Sequence, residues 1–330
     1  MSINNYILNK MKSKYVALAA LALALALTAC NNNDDTDGKV EMEPTEVRFF
    51  GEINGATNRA AGTVWTTNDA IGITGTSGIT YTNIKYAYTG ESGTLFTAVT
   101  PTNTIYYQND EEVSFTAYYP FGGTEKVTPE KVTKTLTAAD QDATNMSVDS
   151  KFTPQSQIDF LYGTGKGQRT TDNGKVAFQF EHKMSKLVLK FIEGGEVDLD
   201  QMSQYTLKSL EMTGTFNPTD GTAAAGGTSS VKELTISKTG SYFSDNTSSL
   251  ILFPQTATSA TLEVTVGDKK YTAALNLPTK GGGSDKGLES GKSYTYNVTV
   301  GFREMTISPA DITDWEAVRD ENVDALPPTA

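Results

Sequence analysis

Apolar and polar residues alternate with a period of two along much of the chain, as they do in strands that bury one face. Val113, Phe115, Ala117 and Tyr119 alternate as far as Pro120, and Val176, Phe178 and Phe180 do so after the turn Asp172-Asn173-Gly174. Leu187, Leu189 and Phe191 share one face of the next segment while Val188 and Ile192 lie on the other, which predicts a central strand. Later alternations run through Leu262, Val264 and Val266, through Tyr271, Ala273, Leu275 and Leu277, and through Tyr294, Tyr296, Val298 and Val300. Gly267-Asp268-Lys269-Lys270 between the first two of these predicts a hairpin. Helical signals are weak: residues 137–144 allow a turn or two. Ser308-Pro309-Ala310-Asp311 starts like a helix but is followed by too short a run, so it reads as a turn or an extended tail. Short strands and Gly-rich turns together predict an all-β, sandwich-like architecture. The polar, Gly-rich stretch 163–174 separates two strand-dense halves, so the expected domains are residues 46–170 and 171–330.

The N-terminus breaks this pattern. Lys10, Lys12 and Lys14 precede an Ala/Leu-rich run over residues 16–27, which is shorter than the roughly 20 apolar residues of a membrane span. Such flanks suit a secretory signal over residues 1–29, starting at Met1 or at Met11. Leu27-Thr28-Ala29-Cys30 resembles a bacterial lipobox, which implies lipidation of Cys30, anchoring in the outer membrane and a tether over residues 30–45. Its acidic start, residues 31–38, reads either as a surface-export tag or as a plain linker. The run Asn33 to Gly38 is not a calcium loop, because Pro44 stands where the bidentate Glu belongs.

Composition narrows the chemistry. A formal net charge of −12 disfavours nucleic acid as a partner. One Cys and one His in 330 residues leave no intramolecular disulfide, and all but exclude Cys/His zinc sites and His-dependent catalytic pairs. Carboxylates are plentiful, but no motif selects a pair, and no phosphate-binding loop is present. We therefore assign no catalytic residue, cofactor or metal ligand, and expect no enzyme. His182 reads as a structural or surface residue on the face opposite Phe180, and Trp65 and Trp315 as core anchors rather than sugar platforms.

Several segments, in order over nearly all of the chain beyond Cys30, resemble the fimbrillin family of type V fimbrial (Mfa-like) subunit lipoproteins. They are Trp65-Thr66-Thr67-Asn68-Asp69-Ala70-Ile71-Gly72-Ile73, Phe115-Thr116-Ala117-Tyr118-Tyr119-Pro120, Asp159-Phe160-Leu161-Tyr162-Gly163 and Phe180-Glu181-His182-Lys183-Met184-Ser185-Lys186-Leu187. Leu288-Glu289-Ser290-Gly291-Lys292-Ser293-Tyr294-Thr295-Tyr296 and Ile312-Thr313-Asp314-Trp315 complete the set. The resemblance implies two tandem transthyretin-like β-sandwiches. It also implies export as a lipoprotein, and assembly in which a protease removes the first strand and a strand of another subunit fills the groove.

On this chain the removable strand would be residues 46–53, with Val47, Phe49 and Gly51 on one face. Arg59, among small residues, is the expected cleavage point, with Arg48 a weaker alternative, and residues 305–318 are the expected donor. The acidic tail 320–330 alternates poorly and contains Pro327-Pro328, which leaves room for a tip or accessory role. Expected partners are other fimbrial subunits, the outer membrane through the lipid before processing, and host or bacterial surface ligands. The alternative is a monomeric surface lipoprotein that binds glycan or protein.

Overall fold

The alternating segments become strands in the computed structural model, which describes residues 44–53, 65–90, 94–145, 152–195, 197–227, 231–238, 243–277 and 287–315. All the described residues belong to one compact unit, Pro44–Ala330. They are almost wholly β, with helix confined to single 3-10 turns such as Ala139–Gln141.

Seven strands close into a barrel: β1 (Arg48–Ile53), β2 (Ala70–Ser77), β3 (Ile84–Tyr88), β4 (Leu95–Ala98), β5 (Val113–Tyr119), β6 (Leu161–Gly167) and β7 (Lys175–His182). Their order is β7-β1-β4-β3-β2-β5-β6, and β6 pairs back onto β7. Inward residues alternate as expected, so Val113, Phe115 and Ala117 of β5 meet Val176, Phe178 and Phe180 of β7 in one core. The Gly-rich stretch 163–174 thus contributes a barrel strand, and the strand that follows it closes the barrel. Gly163 serves close approach there: a Cβ would stand 2.9 Å from the Gln179 carbonyl oxygen of β7.

Beyond Lys183 the chain builds two facing sheets. One contains β8 (Ser185–Gly194), β11 (Thr247–Leu252), β14 (Lys292–Gly301), β15 (Met305–Ile307) and β16 (Asp311–Asp314); the other contains β9 (Met202–Lys208), β10 (Glu233–Ser237), β12 (Ser259–Val266) and β13 (Lys269–Asn276). β8 is central, antiparallel to β11 and parallel to β14, and β12 and β13 form the expected hairpin, closing at Val266↔Lys269. Leu187 and Leu189 share one core with Tyr205, Leu262 and Val298. Tyr118, on the outer face of β5, joins this second core, where Phe160 stacks on Phe216 at 4.6 Å.

Trp65 and Asp69 fasten the mouth of the barrel. The indole donates from Nε1 to the Gly51 carbonyl at 2.7 Å and meets Phe96, Tyr119 and Phe180 edge-on. Asp69 accepts from the Thr66 N–H at 2.6 Å and the Tyr119 hydroxyl at 3.0 Å. Burial raises its carboxyl from the ordinary 3.8 to about 6, against the lowering effect of those two bonds. Because the folded value lies above the unfolded one, this carboxyl stabilises the fold fully below about pH 4, and the contribution is lost as pH rises through about 6. Between pH 4 and 7 the unfolding free energy of the wild type, measured against Asp69→Asn, falls by about 2–3 kcal/mol. A pH-independent difference in urea titrations contradicts this assignment.

Candidate assembly interface

The first barrel strand is positioned by its alternation. Val47, Phe49, Gly51 and Ile53 point inward and are buried, while Arg48 and Glu52 face solvent. On one side β1 runs parallel to β7 from Arg48↔Lys175 to Ile53↔Phe180; on the other it pairs antiparallel with β4 through Phe49↔Phe96 and Phe50↔Leu95. Phe49 is fully buried at the middle of the core, with ring centroids 5.0 Å from Tyr86 and Phe115 and 5.7 Å from Phe178. Gly51 is required by packing, since a Cβ there would stand 2.8 Å from the Phe180 ring. Outside the barrel, the Arg48 guanidinium and the Lys175 amine lie 5.4 and 4.7 Å from the Phe50 ring centroid.

Taking β1 away would free the backbone edges of β4 and β7 and bare the rings that surround Phe49. The strand leads directly into residues 54–64, which carry Arg59, and the chain returns at Trp65, hydrogen-bonded to β1 itself. Arg59 and Cys30 lie outside the described residues.

The C-terminal arm is held differently. β15 and β16 pair antiparallel with β14, and all four residues of β16 are exposed. β15 buries Met305, and β16 is anchored by the buried residue that follows it. Trp315 donates its backbone N–H to the Gly291 carbonyl at 2.8 Å, and its indole stacks on His182, ring centroids 4.0 Å apart and planes 6° from parallel. The Lys292–Asp314 ion pair adds a tie at the surface.

His182 corrects an expectation. It shares the inward parity of Phe180, two residues earlier, and is buried rather than opposite. Its Nδ1 lies 2.8 Å from Asp159 Oδ1, and its buried Nε2 has no hydrogen-bond partner among the described residues. Lys186 closes the cluster with its amine 5.8 Å from the Trp315 ring centroid. Burial lowers its pKa, partly offset by Asp159. The alternation of β7 carried the signal for the buried His182; the Asp159 pair and the Trp315 stack have no local signature. Among the described residues no group of three or more His, Cys, Asp or Glu side chains could hold a metal ion, and no helix is long and apolar enough to cross a membrane.

The first barrel strand thus completes the hydrophobic core of its own barrel. Residues 58–315 match the fimbrillin-like family, and the chain belongs to it. A protein of Bacteroides uniformis described as fimbrium subunit Fim1C is 29% identical over 297 residues, covering 86% of this chain and 88% of that protein. A crystal structure described as a cell adhesion protein of Bacteroides ovatus superposes with a TM-score of 0.67 at 33% identity, over 83% of this chain and 99% of that one. Another so described, from Bacteroides uniformis, shares the fold at a TM-score of 0.61 and 23% identity, over 82% of this chain and 99% of that one.

Truncating the two anchors should give different outcomes. Phe49→Ala lowers global stability by about 3–5 kcal/mol in urea unfolding, because the cavity opens at the centre of a closed core. Trp315→Ala instead strips hydrogen-exchange protection from β16 while leaving β1 to β7 protected. Equal global losses for the two variants contradict the difference in how these strands are held.

Proposed function

We propose that this chain is a structural or adhesive, non-catalytic subunit of a surface fimbria, exported as a lipoprotein through Cys30 and assembled by strand exchange after cleavage at Arg59. The observation that carries the reading is the seat of β1: a strand that completes the hydrophobic core and is followed at once by the segment containing the candidate protease site. Family membership and the lipobox support it. In this reading β1 is a placeholder that keeps two sheet edges covered until cutting, and a strand of the next subunit then takes its register between β4 and β7. The two hydrophobic cores support two tandem sandwich modules of the transthyretin-like kind. Donation from residues 305–318 would require β15 and β16 to leave β14, and Trp315 to leave His182.

Trace trypsin on the purified chain tests this. A single cut after Arg59 followed by SDS-resistant ladders is the expected result, and Arg59→Ala should abolish both. A chain that is cut there and stays monomeric contradicts strand exchange and favours a stand-alone surface lipoprotein.

A further inference from the structure

The outer face of the barrel carries a cleft that the assembly reading does not use. β2 and β3 place Ala70 directly opposite Ala87, and these short side chains leave a floor that larger neighbours overhang. The cleft measures about 310 Å³, at the small end of ligand pockets, which span roughly 300–1,000 Å³. Phe121 and Phe152, both half-buried, line the cleft together with Asn68 and Gln157. Gln157 donates its amide to the Tyr119 hydroxyl at 3.2 Å, which fixes it at the rim.

Lys85 supplies the charge. Its amine lies 5.1 Å from the Phe121 ring centroid and forms no ion pair among the described residues. The nearby carboxylates already have donors: Glu125 accepts from the Lys85 N–H at 3.0 Å and the Thr100 hydroxyl at 2.8 Å, and Asp69 is held by Thr66 and Tyr119. In a chain of net charge −12, an ammonium group in no ion pair among the described residues, set against the Phe121 ring in a cleft also lined by Phe152, Asn68 and Gln157, is complementary to an anionic ligand with one apolar face.

We propose that this cleft binds a single carboxylated sugar, a uronic or sialic acid residue at the end of a surface glycan. The carboxylate would pair with Lys85, the C–H face of the ring would lie on Phe121 and Phe152, and hydroxyls would bond the amides of Asn68 and Gln157. This site does not depend on strand exchange and would serve a monomer equally well.

Saturation-transfer NMR with the purified chain tests it, using methyl β-glucuronide, the methyl glycoside of N-acetylneuraminic acid and, as neutral control, methyl β-glucoside. Transfer to at least one acidic sugar and not to the glucoside is expected, and the responding probe identifies which acid is bound. Lys85→Ala should weaken the response roughly tenfold, the loss of about one ion-pair-assisted contact. Ala87→Tyr, which fills the floor from a solvent-facing position, should abolish it at an unchanged melting temperature. If that variant melts early, Phe121→Ala replaces it with the same expected loss. No transfer to either acid, equal transfer to the glucoside, or full transfer to a folded Ala87→Tyr protein overturns the proposal. So does displacement of the sugars by an equimolar acidic dipeptide, which would assign the cleft to a peptide carboxylate.

Discussion

Closure of the barrel rests on the parallel ladder between β1 and β7. Some antiparallel neighbours, such as β12 and β13, are joined by short turns, but Arg48 and Lys175 meet across more than a hundred residues of intervening sequence. That pairing gives β7 its second partner, and with β4 on its other side β1 turns an open sheet into a closed one. Phe49 makes the closure hydrophobic as well as hydrogen-bonded, since its ring meets residues of β3, β5 and β7 at once. Without this strand the barrel would keep most of its ladders while exposing two edges and an aromatic interior.

The two ends of the described chain are attached by opposite means. β1 is held by the buried side chains of Phe49 and Ile53, by close packing at Gly51 and by ladders on both sides. β16 is held by its backbone ladder and by one indole stacked on a buried imidazole. A strand tied by a single anchor opens locally at lower cost than one that forms part of a core. Within the fimbrial reading, that difference lets the C-terminal arm leave its own sheet while the N-terminal strand waits for a protease.

Much of this was legible in the alternation of residues. The inward faces of β5, β7 and β8, the hairpin of β12 and β13, and the burial of Trp65 and Trp315 follow from period-two patterning and turn chemistry. The inward face of β1, with Val47, Phe49 and Gly51, was legible for the same reason. Its place between β4 and β7 was not, because pairing register between remote strands is settled by the packing of a shared core and leaves no local trace. Gly163 lies in the polar, Gly-rich stretch, and its packing reason is not local, since the Gln179 carbonyl of β7 occupies the space of a side chain there. His182 is a simpler case, since its parity with Phe180 already places it inside. Its stack with Trp315 joins residues over a hundred positions apart and emerges only in three dimensions.

Hydrogen exchange read by mass spectrometry on the chain cut after Arg59 tests the role of β1 most directly. Once the β1 fragment has dissociated, the amides of β4 and β7 should lose protection and regain it as polymers form, while β8 and β12 stay protected throughout. Protection of β4 and β7 that survives the departure of β1, or loss that spreads equally to β8 and β12, would contradict the account.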